Sequence, residues 1–107
     1  MEFNEIRQGL KEIPFSTLRM DSDNYFEAVI AKNEITRLTE ALNKFFGSPA
    51  FPSSSKLSFK AQELINGFGG IMPGQTLYFC RQDNPSIFVM LWPWSDGQHI
   101  TLKCGQK

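Results

Sequence analysis

Three features of the sequence predict an α+β fold, with an antiparallel sheet of about four to five strands packed against two to three helices. Apolar residues recur at three- and four-residue spacings near the N-terminus and again before residue 46. Two short runs flank the turn-forming tetrad Asp21-Ser22-Asp23-Asn24, which reads as a hairpin. The last third alternates apolar and polar residues between turn signals, as a three-stranded meander does.

The first element is an amphipathic helix over Glu2 to Ile13, with Phe3, Ile6, Leu10 and Ile13 in one stripe and Pro14 ending it. Gly9 costs this helix up to about 1 kcal/mol relative to alanine, so tertiary docking has to hold it. Strands follow at Phe15 to Met20 and Tyr25 to Ala31. A single helix from Asp23 to Phe46 is the competing reading, and helical phase rejects it. Ile35, Leu38, Leu42, Phe45 and Phe46 share one face, whereas Phe26 and Ile30 would project from the opposite one. The sequence therefore predicts a helix from Glu34 to Phe46, capped by Asn33 and stopped by Gly47 in the left-handed region. Gly47 to Ser55 has loop composition, and a further helix is expected from about Ser58 to Asn66, with Phe59, Leu64 and Ile65 inward. The meander comprises Gln75 to Gln82, Ser86 to Trp94 and His99 to Cys104, with Asp83-Asn84-Pro85 as a turn and Asp96-Gly97 as a hairpin signal.

Length and composition bound the rest. A chain of 107 residues fits one domain, residues 1–107, and buries about two-thirds of the surface its unfolded form exposes. Hydrophobic residues make up 41% and charged residues 21%, which excludes a disordered chain. Eleven basic residues balance eleven acidic ones, which argues against a nucleic-acid partner. The zero is a cancellation: Met1 to Ala31 carries three basic and six acidic residues, and Lys32 to Lys60 five basic and two acidic. Such asymmetry can orient contacts between molecules. The longest apolar run, Ile87 to Trp94, is too short to cross a bilayer, and the N-terminus lacks the pattern of a secretory signal. Two cysteines without metal-ligand spacing fit a reduced compartment, and the expected location is cytoplasmic.

Aromatic residues are the compositional excess, at 13%. Pairing Ser95 with Gln98 and Gln82 with Ser86 sorts the meander into two faces. One carries Leu77, Phe79, Ile87, Val89, Leu91, Ile100, Leu102 and Cys104; the other carries Thr76, Tyr78, Cys80, Phe88, Met90, Trp92, Trp94, His99, Thr101 and Lys103. A wet face should have been polar. Three covers for it are open: the N-terminal helix, a second copy of the chain, or a partner or ligand. Pro93 suggests a bulge near Trp92 to Trp94.

Motifs for chemistry are weak. Gly67 to Gly74 contains four glycines but leaves a helix, enters a strand and holds no lysine, the reverse of a phosphate loop. It reads as a helix cap followed by a turn. Asp21, Asp23 and Asn24 lack the glycine and glutamate that complete a calcium loop. His99 beside Asp96 could serve a cysteine nucleophile, but the register keeps Cys80 and Cys104 away from it and on opposite faces, so no disulfide is expected either. No metal and no cofactor are expected. The functional expectation is a binding or interaction module, uncertain as an enzyme and leaning against it. It would homodimerise or meet a protein partner through Tyr78, Phe88, Met90, Trp92, Trp94 and His99, or through the loop from Gly47 to Ser55. The alternative is a small-molecule site or minor enzyme with a pocket between residues 67–74, residues 47–55 and the Trp92 to His99 hairpin.

Overall fold

The computed structural model describes residues 2–51, 59–67, 69–72, 74–80 and 86–106. Helix α1 spans Phe3–Lys11, strand β1 Thr17–Asp21 and strand β2 Tyr25–Ala31. A 3-10 turn at Lys32–Glu34 leads into α2 at Ile35–Phe46. Helix α3 covers Phe59–Asn66, and strands β3, β4 and β5 cover Thr76–Cys80, Ile87–Pro93 and His99–Gln106. The α+β expectation holds, with five antiparallel strands in the order β1-β2-β5-β4-β3. Pairing of β2 with β5 joins the N-terminal hairpin to the meander, from Tyr25↔Gly105 to Ala31↔His99.

Helices α1 and α2 lie on one face of this sheet. Phe3, Ile6, Leu10, Ile13, Leu38 and Leu42 pack there with Phe26, Ala28, Ile30, Ile100, Leu102 and Cys104. Burying each of these larger side chains is worth about 1.5–3 kcal/mol, which outweighs the weakness that Gly9 brings to α1. Gly9 also has a packing role: a Cβ there would sit 3.0 Å from the Phe45 ring of α2. Asn33 falls inside the 3-10 turn and does not cap α2, whose N-terminal flank is Glu34 without a side-chain cap. Gly47 ends α2 at φ 78 and ψ −140, so its backbone is positive in φ as glycine permits but lies outside the left-handed helical region.

The register of β3 differs from expectation by one residue. Leu77 opposes Met90, Tyr78 opposes Val89 and Cys80 opposes Ile87. Because side chains alternate, that slip moves the whole of β3 to the other face. Tyr78 and Cys80 join the α1 and α2 core, while Leu77 and Phe79 join Phe88, Met90 and Trp92. The cover of that second face also differs from the N-terminal helix. Ile65 of α3 packs on it, with Ala50, Phe51 and Ile71 beside the cluster. Phe51 further caps the outer edge of β3 through an isolated bridge to Leu77. The turn expected at residues 83–85 and the inward-facing Phe59 and Leu64 side chains lie outside the described residues.

Pro93 causes no bulge, since pairing of β4 with β5 stays regular from Ile87↔Gln106 to Pro93↔Ile100. The Trp94 N–H donates to the His99 carbonyl at 2.8 Å, so by alternation residues 93 and 100 form a pair without mutual hydrogen bonds. The Pro93 nitrogen thus faces away from β5. It faces a side that β3 does not reach, because pairing there stops at Thr76 opposite Leu91. No ladder bond is lost.

Neither cysteine forms a disulfide, although the two share a face, contrary to the expected register. Strand β4 separates their strands, which puts their backbones at least about 9 Å apart, beyond disulfide reach. Among the described residues, no helix is long and apolar enough to cross a membrane.

Candidate ligand cleft

Strands β4 and β5 run on past the start of β3, and Ile35 and Thr39 of α2 line the space beside that extension. Nothing from β3 fills the corner beside Pro93. The result is a cleft of about 500 Å³ between α2 and the sheet, lined by Ile35, Thr39, Asn43, Pro49, Thr76, Tyr78, Leu91, Pro93 and Ile100. A second cavity of about 220 Å³ opens at the hairpin tip and shares Ile35, Pro93 and Ile100 with the first. Lys32, Trp94, Gly97 and His99 complete its wall. The larger volume lies within the range of about 300–1,000 Å³ typical of small-molecule sites.

Helical spacing explains the roof. Ile35, Thr39 and Asn43 recur every four residues and so stack along one side of α2, flanking its buried stripe of Leu38 and Leu42. The Thr39 hydroxyl lies 3.0 Å from the Ile35 carbonyl and turns its hydrogen back to the helix. The Tyr78 hydroxyl donates to Asn43 Oδ1 at 3.0 Å, which ties α2 to β3 across the cleft floor. Burial pushes the Tyr78 phenol above its ordinary pKa, so it stays a neutral donor.

At the hairpin tip, the Asp96 carboxylate accepts from the Gln98 N–H at 2.8 Å and the His99 N–H at 3.2 Å. Its other oxygen lies 2.7 Å from His99 Nδ1. Hydrogen bonds from Gln98 and His99 hold the Asp96 carboxyl below the usual carboxylate range. The Trp94 ring lies against His99, tilted by 38° with ring centroids 4.8 Å apart, and donates its indole N–H to Thr101 Oγ1 at 2.8 Å. The Lys32 backbone N–H is anchored to the Gln98 carbonyl at 2.8 Å, so the start of the 3-10 turn is fixed against the hairpin.

The six residues singled out by sequence are divided among three environments. Tyr78, Trp94 and His99 line the two cavities. Phe88 and Met90 are fully buried in the second core cluster, which includes Ile65 of α3. Trp92 belongs to that cluster too, with Lys103 Nζ 3.5 Å from its ring centre and Gly69 in close approach. The expected pocket is therefore displaced: Pro49 and the hairpin contribute to the cleft, but α2 roofs it and the described part of residues 67–74 does not. That segment caps α3 instead, its Gly70 N–H donating to the Ile65 carbonyl at 2.8 Å, and closes a turn in which Gln75 donates to Met72 at 3.0 Å.

A cysteine nucleophile is not assembled with His99. Cys104 lies five residues along β5, about 17 Å away at strand spacing, and burial pushes its thiol up to about 12. Cys80 sits opposite Ile87, itself opposite Gln106 at the far end of β5. Sequence reasoning passed over Lys32, Thr39 and Asn43. The available signal was two polar residues in step with Ile35 on an otherwise apolar flank.

The fold and cleft define a class: a small α+β protein with an antiparallel sheet and a ligand-sized, mostly apolar cleft under one helix. No protein-family model, curated protein or solved structure matches the chain.

Proposed function

We propose that the protein is a small binding module that holds an apolar ligand in the cleft between α2 and the extended ends of β4 and β5. The observation that carries this reading is the cleft itself: about 500 Å³, walled by Ile35, Leu91, Pro93 and Ile100, with a few polar groups at fixed positions. Pre-formed apolar cavities with a small number of placed polar groups are the usual form of a small-molecule site. The Phe88 and Met90 surface supports an interaction role less well, because both side chains are fully buried.

The test is ligand screening by thermal shift and amide NMR, on the wild type and on Thr39→Phe. Phenylalanine at that half-buried position should fill the cleft while leaving the Leu38 and Leu42 core in place. Apolar ligands should stabilise the wild type, shift amides of α2 and the hairpin, and leave Thr39→Phe unaffected. Equal stabilisation of both proteins would place binding elsewhere and end this reading.

A second reading, self-association through β1, rests on one observation: Leu18 is 45% and Met20 50% exposed on that edge strand. Sedimentation velocity across a hundredfold concentration range tests it, since self-association raises the mass above that of one chain, at every concentration if tight and at the higher ones if weak.

A further inference from the structure

We infer that the ligand of this cleft is an amphipathic monoanion, with its apolar body under α2 and its carboxylate or similar head at the hairpin tip beside Lys32 and His99; the inference rests on the cleft reading above. The two cavities adjoin, with Ile35, Pro93 and Ile100 lining both, so a single elongated ligand lying over those three residues would reach from one into the other. Their chemistry differs along its length. The larger segment is walled by aliphatic and proline side chains, with Thr39, Asn43, Thr76 and the Tyr78 hydroxyl as its polar groups.

The smaller segment ends at Lys32 and His99. Among the described residues lining the two, Lys32 alone carries a formal charge, and no carboxylate lines either. The acidic groups nearest in sequence are already engaged. Glu34 pairs with Arg37 at 3.6 Å, and Asp96 accepts from two backbone amides and faces His99 Nδ1. Because the Asp96 carboxylate takes the Nδ1–H, the neutral imidazole presents Nε2 as an acceptor, so Lys32 is the group that meets the anionic head and His99 is part of the wall beside it. The polarity therefore favours one negative head at one end. A cation there would be repelled by Lys32, and a neutral molecule would forgo the charge-assisted contact that an anion gains.

Three probes of equal chain length separate the head group from the body: decanoate, decanol and decylamine, each below its micelle concentration, titrated by calorimetry and amide NMR. Decanoate is expected to bind about tenfold or more tighter than decanol, as one charge-assisted contact would give, with decylamine weakest. Lys32→Gln, at an exposed position whose backbone contact the substitution keeps, should bring decanoate down to the level of decanol and leave decanol unchanged. Equal affinity for decanoate and decanol, or an unchanged decanoate affinity in Lys32→Gln, overturns the anionic head and leaves the cleft reading standing. Failure of all three probes to bind, or equal binding to Thr39→Phe, overturns both.

Discussion

Gly105 shows what a single residue decides here. Its φ is not positive, so it does not serve a turn. A Cβ at this position would lie 2.8 Å from the Phe88 ring and 3.0 Å from the Tyr25 ring, which close over the glycine from the two neighbouring strands. Gly105→Ala should destabilise the protein by about 1–3 kcal/mol through overpacking, measured by urea denaturation. In the double variant with Phe88→Leu the combined cost should fall below the sum of the two single costs. Sequence gave little hint of this, because Gly105 follows the last alternating residue and reads as a chain leaving its strand. Gly9 is comparable. Its cost to α1 was legible from propensity, whereas its contact with Phe45 arises only once α1 and α2 are packed.

At the scale of elements, the join between α1 and β1 is electrostatic at its rim. Lys11 donates to Asp21 at 2.8 Å and Arg7 lies 3.4 Å from the same carboxylate. The Lys11 hydrogen bond holds the Asp21 carboxyl below the usual carboxylate range. A depressed folded-state pKa stabilises the protein above the unfolded value of about 3.9 and ceases to do so as pH falls through the lower folded value. Wild type should therefore lose stability below about pH 4 more steeply than Asp21→Asn, with the two curves converging in acid, as read from urea midpoints between pH 2 and 6. Element identities were legible because the periods of 3.6 and 2 differ plainly in α1, α2 and the meander. The register of β3 was not, because β4 is apolar on both faces and either pairing buries something acceptable. The cleft was illegible for a related reason: it is space left where β3 ends sooner than β4 and β5, a mismatch of strand lengths that appears only on assembly.

For the whole molecule, the order β1-β2-β5-β4-β3 makes β5 the piece on which the other four strands depend. Among the described residues the β1–β2 pair and the β3–β4 pair share no ladder of their own, and within the sheet each is joined to the other through His99–Gln106. A chain ending at residue 98 should show no cooperative thermal transition by circular dichroism, and a sharp transition in that fragment would contradict this account. The same arrangement has a consequence for the protein as it is made. About seventy residues separate Ala31 from His99, or several seconds of translation at about 5–20 residues per second. Throughout that interval the newborn β2 has an open edge and an apolar face with no central strand to receive them. The ribosome must therefore deliver β5 before the sheet can close, and until then the nascent chain is at its most dependent on whatever cellular machinery shields unfinished sheets.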